Sequence, residues 1–489
     1  MVWSKTIAMK YTLFPLCFVL SLLLTRGVSA QISYLSFDDA LALALEQNPS
    51  IAASEYAEQA AHRERQAAIG LFMPKVSIKG AYTHLNKDIK IDLNHIKVGL
   101  SGALGGVLSN PDFAAAVAPY MPAIESGLSS LLGVDLSYNI QRRNTAFLGG
   151  DIVLPIFAGG KIWTANKAAK INEECVQEQS RQVRGALLVE IVERYFGVEL
   201  ARRGVAIREE AVAVVGQHLH DVAVLEREGM AVESERLYAE YRLAEAERDL
   251  HRAKLQLETA RQALLTSLGA DRIVEPSTPM FLLSKIESLD YFQAMAALHN
   301  PQLSEVSKVR ELAKMNLRLH RAEFFPEIAA IGGMVFCNYQ LSPLVPRMAV
   351  GVGLNFKIFD GLSREYRTAA TRLQLRRVEA LEHKAEQDVA LLIEDRYNKV
   401  LSVLSTIASV ERLERFAEEF LRAKSNAFRE GMATTTDVVD ATINLSRARL
   451  EKIQTAYDLD LALARLLEAS GMSESFVRYL HAPTTQSLF

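Results

Sequence analysis

Two periodicities divide the chain. From residue 348 to 358 the positions Met348, Val350, Val352, Leu354, Phe356 and Ile358 alternate with Ala349, Gly351, Gly353, Asn355 and Lys357, the period of two expected of a strand with one apolar face. Val76, Ile78 and Tyr82 alternate with Ser77, Lys79 and Thr83 in the same way, and the pattern holds more loosely over 147–156 and 327–339. Elsewhere apolar positions recur at three- and four-residue intervals. In the last such segment Val438, Ala441, Leu445, Ala448, Leu459, Ala462 and Leu466 form one stripe, and Ile443, Leu450, Ile453 and Tyr457 a second. A helix with two seams has neighbours on both sides; a closed cylinder of helices and a solid bundle both satisfy that pattern. No Pro falls between Pro155 and Pro276 or between Pro346 and Pro483. Because Pro breaks a helix interior, these gaps predict very long helices.

The chain also repeats itself. Residues 157–269 match 359–471 at a constant offset of 202: Ile156, Phe157 and Gly159 against Ile358, Phe359 and Gly361, Arg194 and Tyr195 against Arg396 and Tyr397, and the run Arg227, Glu228, Gly229, Met230, Ala231 against Arg429, Glu430, Gly431, Met432, Ala433. Upstream the offset is 252, with Asn48-Pro49 against Asn300-Pro301 and Pro74 against Pro326, so the first copy carries 50 extra residues between Pro74 and Phe157. That Gly-rich, Pro-punctuated insertion, about 85–145, reads as a surface excursion between two strands, with room for a short helix. Its glycines are not a phosphate loop, since no Gly-Lys-Ser/Thr comes after them.

Each copy is expected to open with a helix, 37–70 or 289–323, ended by a strand-starting Pro. A helix of about 65 residues then succeeds the IFxG turn, and one of about 37 succeeds the REGMA turn and ends at Gly269 or Gly471 as its C-cap. The long helix would reach roughly 100 Å, and two shorter helices end to end would match it. The resulting layout is a leader over 1–30, a first repeat over 31–270, a connection over 271–288 at the middle of the helical stack, a second repeat over 289–471 and a tail over 472–489.

Strands of about ten residues with one apolar face have the length and pattern of outer-membrane barrel strands. A soluble sandwich would need a core shared with helices far too long to cover the strands. Four strands cannot close a barrel, and hydrocarbon does not tolerate an open sheet edge whose amides find no water, so several chains must share one barrel.

Composition narrows the chemistry. The 55 Lys and Arg against 58 Asp and Glu give a net charge of −3. The first thirty residues hold Lys5, Lys10 and Arg26 without an acid, which leaves the rest more acidic still and argues against nucleic acid as a partner. The apolar run from Leu13 to Leu24, then Val28-Ser29-Ala30, reads as a secretory signal cleaved before Gln31. Cys17 lacks the small preceding residue of a lipidation site. Cys175 and Cys337 read as inert buried thiols rather than a disulfide framework. His218 and His220, two apart on a helix, do not face one another and read as polar surface residues, not a metal pair. Glu173-Glu174, Glu209-Glu210 and Glu418-Glu419 read as solvated helix faces. No nucleophile with a base and no metal set stands out, so an enzyme is disfavoured. A non-conducting periplasmic or outer-membrane coiled-coil scaffold or receptor would explain the helices but not the four alternating strands.

The double repeat, Pro74 and Pro326, the IFAGG and IFDGL turns and the segment FREGMATTTDVVDA together resemble the outer-membrane efflux protein (TolC) family over essentially all of 31–480. The resemblance implies a mostly α fold with a membrane β-barrel: a homotrimer whose twelve-stranded barrel, four strands per chain, sits in outer-membrane lipid and continues into a periplasmic α-helical barrel. It implies a passive exit duct for a tripartite efflux pump or a type I secretion system, working with a periplasmic adaptor and an inner-membrane transporter, without catalysis or an obligatory cofactor. The family's acidic ring near the periplasmic tip falls on Asp437 and Asp440. These lie at i and i+3 on one helix face; they read equally as a gate and as a cap with a favourable first-turn acid. Six like charges at one level would push part of the ring above the ordinary Asp value of about 3.9. The Tyr and Arg with which family members latch this turn are replaced by Phe428 and Ala433. The two REGMA turns, with Arg227, Gly229, Met230, Arg429, Gly431 and Met432, are expected to form the tip that meets the adaptor, although a purely structural turn would have the same pattern.

Overall fold

The computed structural model describes residues 33–109, 121–270, 274–283, 285–342, 345–482 and 485–487. The expected leader over 1–30, the expected start at Gln31 and part of the 85–145 insertion lie outside these residues. The described chain is mostly helical and falls into two compact units, one drawn from residues up to 63, 171–312 and 376–489, the other from 64–170 and 313–375.

The long helices are present in both repeats. Helix α5 (Lys161–Arg227) and helix α9 (Ser363–Arg429) each run for 67 residues, and helices α6 (Glu233–Leu268) and α10 (Thr435–Ala469) for 36 and 35. Four glycines close these helices in the left-handed conformation, at φ +73° for Gly229 and Gly431, +67° for Gly269 and +70° for Gly471. Each sits in the same motif: at Gly471 the glycine amide donates to Glu468 O over 2.9 Å and the next amide, Met472, to Leu467 O over 2.7 Å.

The first helix of each repeat is two helices rather than one. In place of 37–70 there are α1 (Phe37–Gln47) and α2 (Pro49–Ile69); in place of 289–323, α7 (Leu289–His299) and α8 (Pro301–Ala322). A residue that precedes Pro is forced out of the helical region, and Asn48 and Asn300 are both extended. Their side chains use the break. Asn48 Nδ2 donates to Ser267 O over 2.8 Å and Asn300 Nδ2 to Ala469 O over 2.7 Å, while each Oδ1 accepts an amide from the next helix. The ends of α6 and α10 are thereby tied to the breaks, and a Cβ on Gly269 or Gly471 would collide with the Gln47 or His299 carbonyl.

The core of this helical unit gathers where the connection and the tail pack. Short strands pair there: β1 (Ser33–Leu35) parallel to β6 (Val274–Pro276), and β7 (Phe281–Leu283) antiparallel to β10 (Thr485–Ser487). Phe37, Tyr195, Phe196, Phe281 and Phe476 form one aromatic cluster with centroids 5.3–6.5 Å apart. Such pairs contribute about 0.5–1.5 kcal/mol each beyond burial. The Tyr195 hydroxyl accepts the Ser277 and Thr278 amides over 3.0 and 2.9 Å and donates to Leu35 O over 2.7 Å. One phenol thus bonds three backbone groups at the ends of the short strands, two of which, the Ser277 amide and the Leu35 carbonyl, also pair with each other over 3.0 Å.

The other unit holds a four-stranded antiparallel sheet in the order β2 (Lys75–His84), β5 (Asn144–Ala158), β8 (Glu327–Tyr339), β9 (Met348–Asn355). The register puts Val76 opposite Ile152, Ile152 opposite Gly332 and Gly332 opposite Val350, so these residues share one face. Ile78, Tyr82, Val352 and Leu354 extend it, and all are exposed. On the opposite face Ser77 donates to Asp151 over 2.6 Å and Lys79 pairs with the same carboxylate at 3.0 Å. Cys175 is buried as expected, but Cys337 is exposed: it lies near the end of β8, where the strand's residues are mostly exposed.

The insertion is more ordered than an excursion with one helix. It continues as β3 (Ile89–Asp92) and β4 (Ser137–Gln141), paired antiparallel, and between them carries α3 (Asn94–Leu108) and α4 (Met121–Gly133). The buried Lys97 joins these helices by donating to the Leu132 and Val134 carbonyls. The short helix α11 (Phe476–Leu480) precedes β10. Among the described residues no helix is long and apolar enough to cross a membrane.

Candidate functional site

The expected tip residues fall at two helix-to-helix turns of one unit. At the first, the Gly229 amide donates to Glu226 O over 3.0 Å and the Met230 amide to Leu225 O over 2.8 Å; at the second, Gly431 donates to Phe428 O and Met432 to Ala427 O at the same two distances. Both methionines stand out, 70% and 72% exposed. Arg227 and Arg429 turn back on their own helices, Arg227 Nε to Ala223 O over 3.1 Å and Arg429 Nη2 to Asn426 Oδ1 over 2.7 Å.

Asp437 and Asp440 lie just beyond the second turn and are held differently. Asp437 closes a capping box with Thr434: its Oδ2 accepts the Thr434 amide over 3.0 Å, and its own amide donates to Thr434 Oγ1 over 3.3 Å. Lys424, on α9, donates to Asp437 Oδ1 over 2.9 Å. The Thr434 backbone, Lys424 and the Thr434 hydroxyl together lower this carboxyl to about 2. Within one chain Asp437 is thus displaced away from the high value expected of a crowded ring, because donors surround it. Asp440 reaches across to α6. Its Oδ1 accepts Arg242 Nη2 over 3.0 Å and the Tyr238 hydroxyl over 3.3 Å, and Arg242 Nη1 also donates to Glu245 over 2.8 Å.

Tyr238 and Arg242 belong to no motif in the sequence, yet a signal is present: at the repeat offset of 202, Tyr238 is the counterpart of Asp440. His218 is not the surface residue expected. It is 6% exposed, buried against the ring of Phe428 with centroids 4.7 Å apart, whereas His220 is exposed. The acidic pairs also need correction. Glu173 is buried against His62 at 2.8 Å, Glu174 accepts Lys308 at 2.6 Å, and Arg449 bridges Glu210 and Glu418. They are helix-to-helix ties, and exposed ones contribute little each.

No group of His, Cys, Asp or Glu that could hold a metal occurs among the described residues.

Comparison with known proteins agrees with this architecture. The family model described as outer membrane efflux protein matches residues 110–270 and 294–472. The outer membrane efflux protein BepC of Brucella suis biovar 1 (strain 1330) is 22% identical over 392 residues, 76% of this chain and 82% of that protein. Among solved structures, CusC superposes with a TM-score of 0.70 at 14% identity, covering 92% of this chain and 95% of that one. The outer membrane protein VceC from Vibrio cholerae gives 0.67 at 15%, covering 89% and 96%. At these identities the structural likeness establishes the fold, and the family match spans more than half of the sequence. The chain belongs to the outer membrane efflux protein family.

Proposed function

We propose that this chain is the outer-membrane duct of a tripartite efflux pump or type I secretion system. Three copies would complete a twelve-stranded barrel, and the helices would continue it as a periplasmic conduit that meets an adaptor at the Gly229-Met230 and Gly431-Met432 turns. The sheet carries this reading: its apolar face is exposed and its edge strands, β2 and β9, have no further strand partner among the described residues. Lipid would take up the face and neighbouring copies the edges, which is the arrangement that leaves no backbone group unsatisfied in hydrocarbon.

At the tip, three copies would bring six carboxylates, Asp437 and Asp440, to one level and favour cations there. Lys424 and Arg242 would temper that charge, and the bond from Asp440 to Arg242 and Tyr238 would tie the second repeat to the first. The test is conductance of the purified protein in planar bilayers. Discrete, cation-preferring steps are expected, with block by multivalent cations. Asp437→Ala with Asp440→Ala should keep the oligomer and lose both preference and block, and Arg242→Ala should raise conductance by loosening the tie. Absence of any stable pore from well-folded protein would refute the duct, and a double variant with unchanged preference would place the constriction elsewhere.

A further inference from the structure

The second tip has a feature that the acidic pair does not explain. Three helices meet at His218: α5 supplies the imidazole, α9 the Phe428 ring against it, and the first turn of α10 the Thr435 backbone. Two polar atoms are sealed in this contact without a partner, His218 Nε2 and Thr435 Oγ1, and Thr435 is fully buried. A neutral imidazole fits such a place, since one ring nitrogen bonds while the other tolerates an apolar neighbour. A charged imidazolium does not, because both its N–H groups need acceptors.

We propose that His218 is an acid-sensitive pin, which holds the α9–α10 turn against α5 while neutral and releases it on protonation. The inference deepens the gate reading, because Asp437 and Asp440 lie on the element that would be freed. Burial lowers the His218 pKa from its ordinary value of 6.5, so the packed tip prefers the neutral ring. A released tip with a solvated ring would titrate near the ordinary value. Acidification through that range therefore feeds the released form, and the pin is restored as pH rises. The charges around the ring leave this sign intact. Asp221, a turn further along α5, opposes the shift but is outweighed by burial, and it is engaged by Gln217 at 2.9 Å. On α9 and α10, Lys424 and Asp437 pair with each other, Arg429 turns to Asn426, and Asp440 pairs with Arg242 of α6. Asp437, held at about 2, stays ionised throughout the window.

The experiment is hydrogen–deuterium exchange of the full-length protein in lipid nanodiscs at about pH 7.5 and about pH 5.5, corrected for intrinsic exchange rates and read over residues 425–440. Protection in the unaltered protein should fall at the lower pH by at most about tenfold, since about pH 5.5 lies one unit below the released ring's ordinary value of 6.5. His218→Gln should flatten this response; His218→Phe, which keeps a ring against Phe428, should also flatten it while retaining protection; His220→Gln should leave it unchanged. Equal protection of the unaltered protein at both values would overturn the proposal, as would a full response in His218→Gln or its loss in His220→Gln. Conductance recorded alongside separates the two readings. A pH response in exchange without one in conductance would uphold the pin and count against the gate.

Discussion

At the tip between α5 and α6, and again at the tip between α9 and α10, a glycine at φ +73° carries the chain from one helix to the next through the same pair of hydrogen bonds. Beyond the glycine the two tips diverge. Helix α6 begins at Val232, whose side chain caps nothing, and its first turn is braced by Arg236, which reaches Glu226 at 2.8 Å, Glu240 at 2.5 Å and Glu233 at 3.7 Å. Helix α10 begins at Thr434, which closes a capping box with Asp437, and His218 is packed behind it. One backbone design is therefore secured by partly exposed ion pairs in the first copy and, in the second, by a hydrogen-bonded cap and the Lys424–Asp437 pair over a buried ring. Screening by salt acts on the whole of the first lock but on only part of the second.

The shared part of the comparison should show the largest effect. Nothing lies within 4 Å of a Cβ built on Gly229 or Gly431, so Ala at either position should cost only the left-handed backbone, about 1–2 kcal/mol, and the two costs should be equal. Local opening free energies from amide exchange at each tip would measure this, and a clear inequality would mean that the turns are not equivalent. Next comes the cap. Thr434→Ala should cost about 1 kcal/mol at the second tip, while Val232→Ala should change little at the first. Because Glu235 occupies the N3 position, Val232→Thr completes a Thr-x-x-Glu box and should stabilise the first tip by a fraction of that amount. The smallest effect separates the locks by solution conditions. Raising salt should reduce protection at the first tip more than at the second. Asp437 contributes stability that is complete above its ordinary value of 3.8 and is lost as pH falls through about 2, so the cap should outlast mild acid.

Much of the architecture is legible in the sequence because repeats preserve register. The glycines at offset 202, the Pro-free stretches and the alternating strands each obey a local rule, and the long helices and the four-stranded sheet are where those rules put them. The break after Gln47 is visible as Asn48-Pro49 but is masked by the helical periodicity that resumes beyond it. The pairing of β1 with β6 has no legible signal: three residues are too few to display a period, and their register is set by Tyr195, distant in sequence. At the site, the expected cap is three residues late: Thr434 is the N-cap, Asp437 is the N3 partner in its capping box, and Asp440 lies beyond the first turn. The burial of His218 is not legible, because a polar residue on a long helix takes its surroundings from whichever helix happens to cross it.

Among the described residues the outer edges of β2 and β9 are unpaired, and this bears on biogenesis. A strand edge with free amides and carbonyls, beside an uncovered apolar face, offers a template to any extended polypeptide that arrives first. On the proposed assembly, a newly made subunit competes between its sisters and unproductive partners. Its yield would then be set by encounter rate and waiting time as much as by native stability. Crowding the compartment with unfolded chains would thus deplete finished pores before it destabilised any that already existed.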